Sequence, residues 1–337
     1  MNEPVAIAQA AKEAYGLRWF PYTRRALDPI TDNDDLAMVS HVDGWKAVDR
    51  VGAFLAERAA ARKQALVVIA GGSGTGRTSL ANVLIHKWAD GRPAAQGVAF
   101  DRTQLIVACG RMSDYADADQ LWQWVLGLWP QILTAGFAPG EQTERAFDTL
   151  RDSKPEALAR ALQNTLIKLV NDLSSRNWAL AGILEDIKKQ ELLRLASTSF
   201  EYVDSLLVMT VEDTAGNFDA VLNRVETALD PDASRLVRLS ELDGSEARDV
   251  VVSRWLRSAE DPSSPLPFDE SSVQAGFDGR RRPIARVLKL METLLAMKVS
   301  YGNGKPERWP AAGHLAFTEE EVAHKIAYLD SELFPRS

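Results

Sequence analysis

Cysteine is nearly absent. One residue, Cys109, in a chain of 337 excludes an intramolecular disulfide, so the fold cannot depend on covalent cross-links. No apolar stretch approaches the ~20 residues that a membrane-spanning helix requires, which argues against a membrane protein. The four histidines, His41, His86, His314 and His324, have no metal-ligand spacing. No serine or cysteine sits in a nucleophile-elbow pattern, so neither a metal hydrolase nor a nucleophile-based enzyme has support. Positive charge is in deficit: 39 Lys and Arg against 47 Asp and Glu leave a net charge of −8. That balance gives no general attraction to nucleic acid or to an acidic membrane. There is no internal repeat, no low-complexity tract and no secretory signal, and the chain is expected to work in a reducing cytoplasm. Cys109 follows the apolar run 105–108 and reads as a buried structural thiol.

What is present is an ordinary globular composition, 46% hydrophobic and 26% charged, over a length that suits one large or two modest domains. The first forty or so residues mix aromatics, proline and acids, as in Tyr15-Gly16-Leu17 and Trp19-Phe20-Pro21-Tyr22, and read as an extended arm or short helix packed on a domain. Helical spacing follows over 43–62, then a continuous β-prone run over 65–70 that glycines end abruptly, then helical spacing again over 78–88. Four more strand-like runs, at 104–108, 179–184, 206–211 and 236–239, alternate with helical stretches at 118–134, 154–173, 188–201 and 218–229. Such alternation predicts a parallel sheet covered on both faces. After Leu242 only helices are expected, at 245–258, 269–275, 283–299 and 318–333, separated by Pro-, Gly- and Ser-rich loops at 261–267 and 301–313. The fold class is therefore α/β: a five-stranded parallel sheet flanked by helices over residues 41–241, preceded by an arm at 1–40 and followed by a small all-helical lid at 242–337.

Chemistry concentrates where the first strand ends. Gly71-Gly72-Ser73-Gly74-Thr75-Gly76-Arg77-Thr78, with Ser79 behind it, matches the strand–GxxxxG[K/R][S/T]–helix arrangement of a phosphate-binding loop, with Arg where Lys is usual. Glycines let successive N–H groups turn into one anion-sized nest, and the following helix adds the positive end of its dipole. Arg77 would set a cation on the outer phosphates and Thr78 a hydroxyl on Mg²⁺, so ATP and Mg²⁺ are the expected ligands. A planar guanidinium is no conservative replacement for an ammonium at a phosphate, and binding is better supported than fast hydrolysis.

Phosphoryl transfer also needs an acid for the metal and another to orient water. The run 179–184 leads into Glu185-Asp186, which stands at the expected carboxyl edge of the sheet, with Glu185 assigned to the metal alongside Thr78. A second pair, Glu212-Asp213, follows the run 206–211, where Thr210 or Glu212 would supply a phosphate-sensing group. The segment Leu121-Trp122-Gln123-Trp124 with Trp129 lacks interleaved Lys or Arg, and suits packing or a protein-binding face better than base stacking.

Over roughly residues 40–300 these motifs resemble the AAA+ ATPases, including the signal-transducing STAND and origin-recognition-like branches. The resemblance implies a Walker B role for Glu185-Asp186, although the family usually has Asp then Glu. It implies a sensor 1 role for Thr210, where Asn is more typical. Arg224 is similar to the arginine finger that reaches a neighbouring subunit's nucleotide. Gly279-Arg280-Arg281-Arg282-Pro283 opens a lid helix as the sensor 2 motif does, with Arg282 facing the nucleotide; the three arginines alternatively form a patch for an acidic partner or a nucleic acid backbone. The stretch from Tyr15 to Pro21 resembles the arm of bacterial transposition and secretion ATPases of the ExeA/TnsC kind. The implied function is a nucleotide-gated regulatory ATPase that forms a homo-oligomer on nucleotide binding and controls a separate effector protein, with slow or partner-dependent hydrolysis. Two alternatives stay open: a non-hydrolysing nucleotide-bound scaffold, and a DNA-remodelling or transposition ATPase.

Overall fold

The structure, a computed structural model, describes residues 3–334 apart from 24, 33, 40–42, 94–99, 113–116, 214–217, 262, 264 and 302–316. His41, His314 and most of the loop expected at 301–313 lie outside the described residues. The chain divides into two compact units, one of residues 47–72 and 77–239, the other of residues 1–46, 73–76 and 240–337. Residues 1–40, read as an arm in the sequence, fall within the unit that also holds the helices after residue 240.

The first of these units is built on five parallel strands: β1 (Ala65–Gly71), β2 (Leu105–Arg111), β3 (Ala179–Glu185), β4 (Ser205–Glu212) and β5 (Ser234–Leu239), in the order β2-β3-β4-β1-β5. β1 lies between β4 and β5 and every one of its residues is buried, which explains its unbroken apolar run. Helices α3 (Val48–Ala60) and α4 (Arg77–Asp90) pack on one face of the sheet. The other face is covered by α5 (Asp117–Thr134), α7 (Leu158–Ser175), α8 (Gln190–Ser199) and α9 (Phe218–Ala228), in a core that includes Leu66, Val68, Leu180, Leu184, Leu207 and Met209. The tryptophans of α5 serve packing. Trp124 meets Phe200 at 5.9 Å between ring centres, Trp129 meets Phe147 at 5.0 Å, and Trp122 Nε1–H donates to the Leu150 carbonyl.

Two expectations need correction here. α6 (Glu141–Arg151) has no counterpart in the sequence reading, because its buried stripe is Thr143, Ala146, Phe147 and Leu150, only two of them large and apolar. Cys109 is exposed, not buried. It lies on edge strand β2, where Ile106 and Ala108 face the core and Cys109 falls on the opposite, less covered face.

The second unit is helical: α1 (Glu3–Tyr15), the single turn α2 (Asp34–Ala37), α10 (Gly244–Ser258), α11 (Glu270–Phe277), α12 (Ile284–Tyr301) and α13 (Glu319–Leu333). A reciprocal capping box opens α10, with the Asp243 carboxylate accepting from Glu246 N–H and the Glu246 carboxylate from Asp243 N–H. The chain after α1 lies along α10. Leu17 bridges to Ala259, the Tyr22 hydroxyl donates to the Val251 carbonyl at 3.3 Å, and the Arg257 guanidinium donates to the Ala37 carbonyl at 2.9 Å. Trp255 gathers Tyr15, Tyr22 and Phe268 around itself. Among the described residues no helix is long and apolar enough to cross a membrane.

One buried charge in this unit has two of its three guanidinium nitrogens without a hydrogen bond among the described residues. Arg254, on α10, is 4% exposed, and its Nε and Nη1 make no hydrogen bond among the described residues. Burial pulls its pKa down to about 10, against the smaller opposing pull of Asp35. A buried unpaired cation is a net cost, and a flexible apolar side chain of similar length removes it. Arg254→Met is therefore expected to stabilise the protein by about 1–4 kcal/mol in denaturant unfolding; a loss of stability would show that the cation is compensated.

Candidate functional site

The carboxyl end of an open α/β sheet, where the strand order reverses, is where such folds bind ligands. β1 ends there at Gly71, and α4 starts at Arg77. The connecting loop curls through two glycines in the left-handed region, Gly74 at φ 76° and Gly76 at φ 94°. Residues with a Cβ rarely adopt such angles, and alternation of this kind turns peptide N–H groups toward a common point. Ser73 and Gly74 are exposed, Thr75 is buried, and Ser79 is half-buried on the first turn of α4.

Two acids at the end of β3 reach this region in different ways. Thr78 Oγ1 donates to Glu185 Oε1 at 2.8 Å. The hydroxyl and carboxylate thus form an oxygen pair of the kind hard cations take. Asp186 turns away from that pair. Its backbone is left-handed, φ 59°, which Asp tolerates better than most residues. Its carboxylate lies between two arginines, with Oδ1 3.4 Å from Arg77 Nη2 and Oδ2 3.0 Å from Arg111 Nε. Thr210 maintains the turn: its hydroxyl accepts from Asp186 N–H at 3.0 Å and its carbonyl from Ile187 N–H at 2.9 Å. On the other side, Met112 N–H donates to the Glu185 carbonyl at 2.8 Å. Both neighbouring strands therefore fix the end of β3.

Arg77 is only partly engaged. Its Nη2 faces Asp186, while Nη1 is buried with no hydrogen-bond partner among the described residues. A buried donor left without an acceptor is costly, and an anion in the loop would satisfy it. Phosphates and Mg²⁺ fit what is here: a left-handed glycine loop, a partly unsatisfied guanidinium and a hydroxyl–carboxylate pair. No group of three or more His, Cys, Asp or Glu suited to a metal occurs among the described residues. A divalent ion here would take Thr78 and Glu185 with phosphate oxygens, the way Mg²⁺ is commonly held.

The other expected residues lie elsewhere or act differently. Thr210 is 2% exposed, and its hydroxyl serves the Asp186 backbone. Glu212 is half-buried, in register with Gly71. Arg224 lies on α9, where its guanidinium donates to the carbonyls of Lys188 at 2.9 Å and Ala220 at 3.2 Å. Arg282, expected to face the nucleotide, is 6% exposed within the helical unit. There its Nε pairs with Asp330 at 3.1 Å and its Nη1 donates to the carbonyls of Phe277 and Arg280. Arg281 binds the Glu246 carboxylate and the Glu241 carbonyl, so the three arginines are not one free basic patch.

Arg111 escaped the sequence reading, and Asp213 was named there only as the second member of an acidic pair. Arg111 stands in register with Glu185 and holds Asp186. Asp213, just after β4, donates its N–H to the Gly71 carbonyl at 3.2 Å and places Oδ2 3.8 Å from Arg238 Nη2. The signal for Arg111 was its position three residues beyond the strand-like run 104–108, which acquires meaning only once β2 is known to extend to it and to lie beside β3.

The Thr210 contact yields a direct test. Thr210→Val removes the acceptor for Asp186 N–H at nearly constant volume, and is expected to cost about 1–3 kcal/mol in urea unfolding; an unchanged midpoint would show that the turn does not depend on that hydroxyl.

No family model matches the chain, and no curated protein matches it. Solved structures do. The Aeropyrum pernix ORC2 protein in its ADPNP-ADP complexes is 14% identical, with 87% of this chain and 70% of that one covered and a TM-score of 0.49. Drosophila ORC bound to DNA is 13% identical, over 90% of this chain and 68% of that one, with a TM-score of 0.46. The E. coli MS115-1 HORMA:CdnC:Trip13 complex includes a chain 12% identical, over 86% and 89%, with a TM-score of 0.42. Likenesses at this level concern the fold alone. The chain's own topology is a parallel sheet ordered β2-β3-β4-β1-β5 with a glycine-rich loop between β1 and α4 and a helical unit after β5, the α/β arrangement expected from the sequence.

Proposed function

We propose that the chain binds ATP with Mg²⁺ and acts as a nucleotide-gated regulatory NTPase with slow hydrolysis. The observation that carries this reading is the Thr78–Glu185 pair at 2.8 Å, next to a phosphate loop whose Arg77 has a buried, unsatisfied donor. The peptide N–H groups of Gly71, Gly72, Ser73, Gly74, Thr75 and Gly76 and the first turn of α4 bind the phosphates, with Ser79 in that turn. Arg77 neutralises the outer ones, and Thr78 with Glu185 holds the metal. Bound ATP supplies the phosphoanhydride that water cleaves. Asp186 orients that water, and Arg224 serves a neighbouring copy's site when copies assemble on nucleotide. The output passes through a separate protein effector. Arg282 has no part in this reading, because Asp330 and two carbonyls engage its guanidinium.

A second reading, a nucleotide-bound scaffold without turnover, is favoured by the position of Asp186. A carboxylate whose two oxygens face Arg77 and Arg111 has those oxygens engaged by guanidinium groups and not turned to an attacking water. DNA remodelling finds no support in a net charge of −8.

Titration calorimetry and phosphate release separate these readings. Wild type is expected to bind Mg·ATP, Arg77→Lys to retain binding, and Arg77→Ala to weaken it by about ten- to a hundredfold. Unchanged affinity in the alanine variant would refute a phosphate role for Arg77. Turnover is expected to be slow in wild type, to rise in Arg111→Ala and to vanish in Asp186→Ala; no turnover in any of them would favour the scaffold.

A further inference from the structure

The first four N–H groups of a helix have no acceptor within it, and a side chain just before the helix usually provides one. α12 starts after Pro283, which has no side-chain acceptor. The N–H of Ala285 instead donates to the carbonyl of Gly74, in the phosphate loop, at 3.0 Å. Sequence separation makes this an unusual cap, since a loop more than two hundred residues earlier supplies the oxygen. The packing around it is close. A Cβ on Gly74 would lie 3.2 Å from the Ala285 Cβ, and a Cβ on Gly76 would lie 3.2 Å from the Trp45 ring and 3.5 Å from Ile284. Trp45 is 4% exposed, and its buried Nε1–H has no hydrogen-bond partner among the described residues, so what the structure shows of its tight seat beside Gly76 is a fit of shape.

We propose that Trp45 and the first turn of α12 are positioning elements of the phosphate loop: Trp45 packs against Gly76, the Gly74 carbonyl caps α12, and together they hold the loop in its anion-binding curl. The loop's shape and the order of α12's first turn are then one element. This rests on the reading of the loop as a nucleotide site. By thermodynamic reciprocity, if the capped turn favours binding, binding must favour the capped turn. Nucleotide occupancy is thereby passed to the first turn of α12 through a backbone hydrogen bond.

The Ala285 amide reports the cap directly, because Gly74 provides its acceptor. Hydrogen exchange on the full chain, without nucleotide, is expected to show Ala285 exchanging about tenfold faster in Trp45→Ala than in wild type, and near the wild-type rate in Trp45→Phe. Gly74→Ala, which introduces a Cβ at φ 76° against Ala285, is expected to release the same amide and serves if Trp45→Ala does not fold. In calorimetry Trp45→Ala is expected to lose about tenfold in Mg·ATP affinity with Trp45→Phe restoring most of it, and Mg·ATP is expected to slow Ala285 exchange in wild type. Wild-type exchange at Ala285 in both Trp45→Ala and Gly74→Ala overturns the cap. A wild type that binds nucleotide without slowing Ala285 overturns the linkage. A wild type that binds no nucleotide overturns the functional reading and the linkage, while the exchange of the variants still decides the cap.

Discussion

The hydrogen bond from Thr78 to Glu185 joins the first turn of α4 to the end of β3, two elements more than a hundred residues apart in sequence. For the hydroxyl to reach that carboxylate, β1 must end where the glycines begin, α4 must start without delay, and β3 must end level with the loop. The parallel register supplies this levelling: Gly71 stands beside Glu212 and Leu239, Leu184 beside Met209, and Arg111 beside Glu185. The candidate site follows from strand lengths and order before any ligand is considered.

Around that bond the electrostatics divide two adjacent acids. Glu185 meets the neutral hydroxyl of Thr78. Asp186 is turned by a left-handed backbone toward Arg77 and Arg111. Environment, not residue type, thus separates a carboxylate that meets a hydroxyl from one held by arginines. The arginine in place of the usual lysine matters for the same reason. Its planar fork presents one nitrogen to Asp186 while another stays unsatisfied, a division that a single ammonium could not make.

Much of this was legible from local patterns. β1, the glycine loop, the alternation that gives a parallel sheet, and the acids after the third strand-like run all follow from residues close together in sequence. What stayed hidden depends on long-range packing. Cys109 reads as buried until β2 is known to be an edge strand. Arg282 reads as a nucleotide contact until Asp330, in the last helix, is seen to pair with it. α6 stayed hidden because only Phe147 and Leu150 of its four buried positions are large and apolar. Arg111 acquires a role only through register with Glu185, and the cap on α12 is a backbone contact that no side-chain pattern announces.

The central claim is that Thr78 and Glu185 hold the metal of a bound nucleotide. Calorimetric titration of ATP into wild type and Thr78→Ala, each with and without Mg²⁺, tests it most directly. The account predicts wild-type binding that Mg²⁺ strengthens by about tenfold or more, and little or no Mg²⁺ effect in Thr78→Ala. Wild-type binding indifferent to Mg²⁺, or a Mg²⁺ effect that survives the loss of the Thr78 hydroxyl, would contradict it.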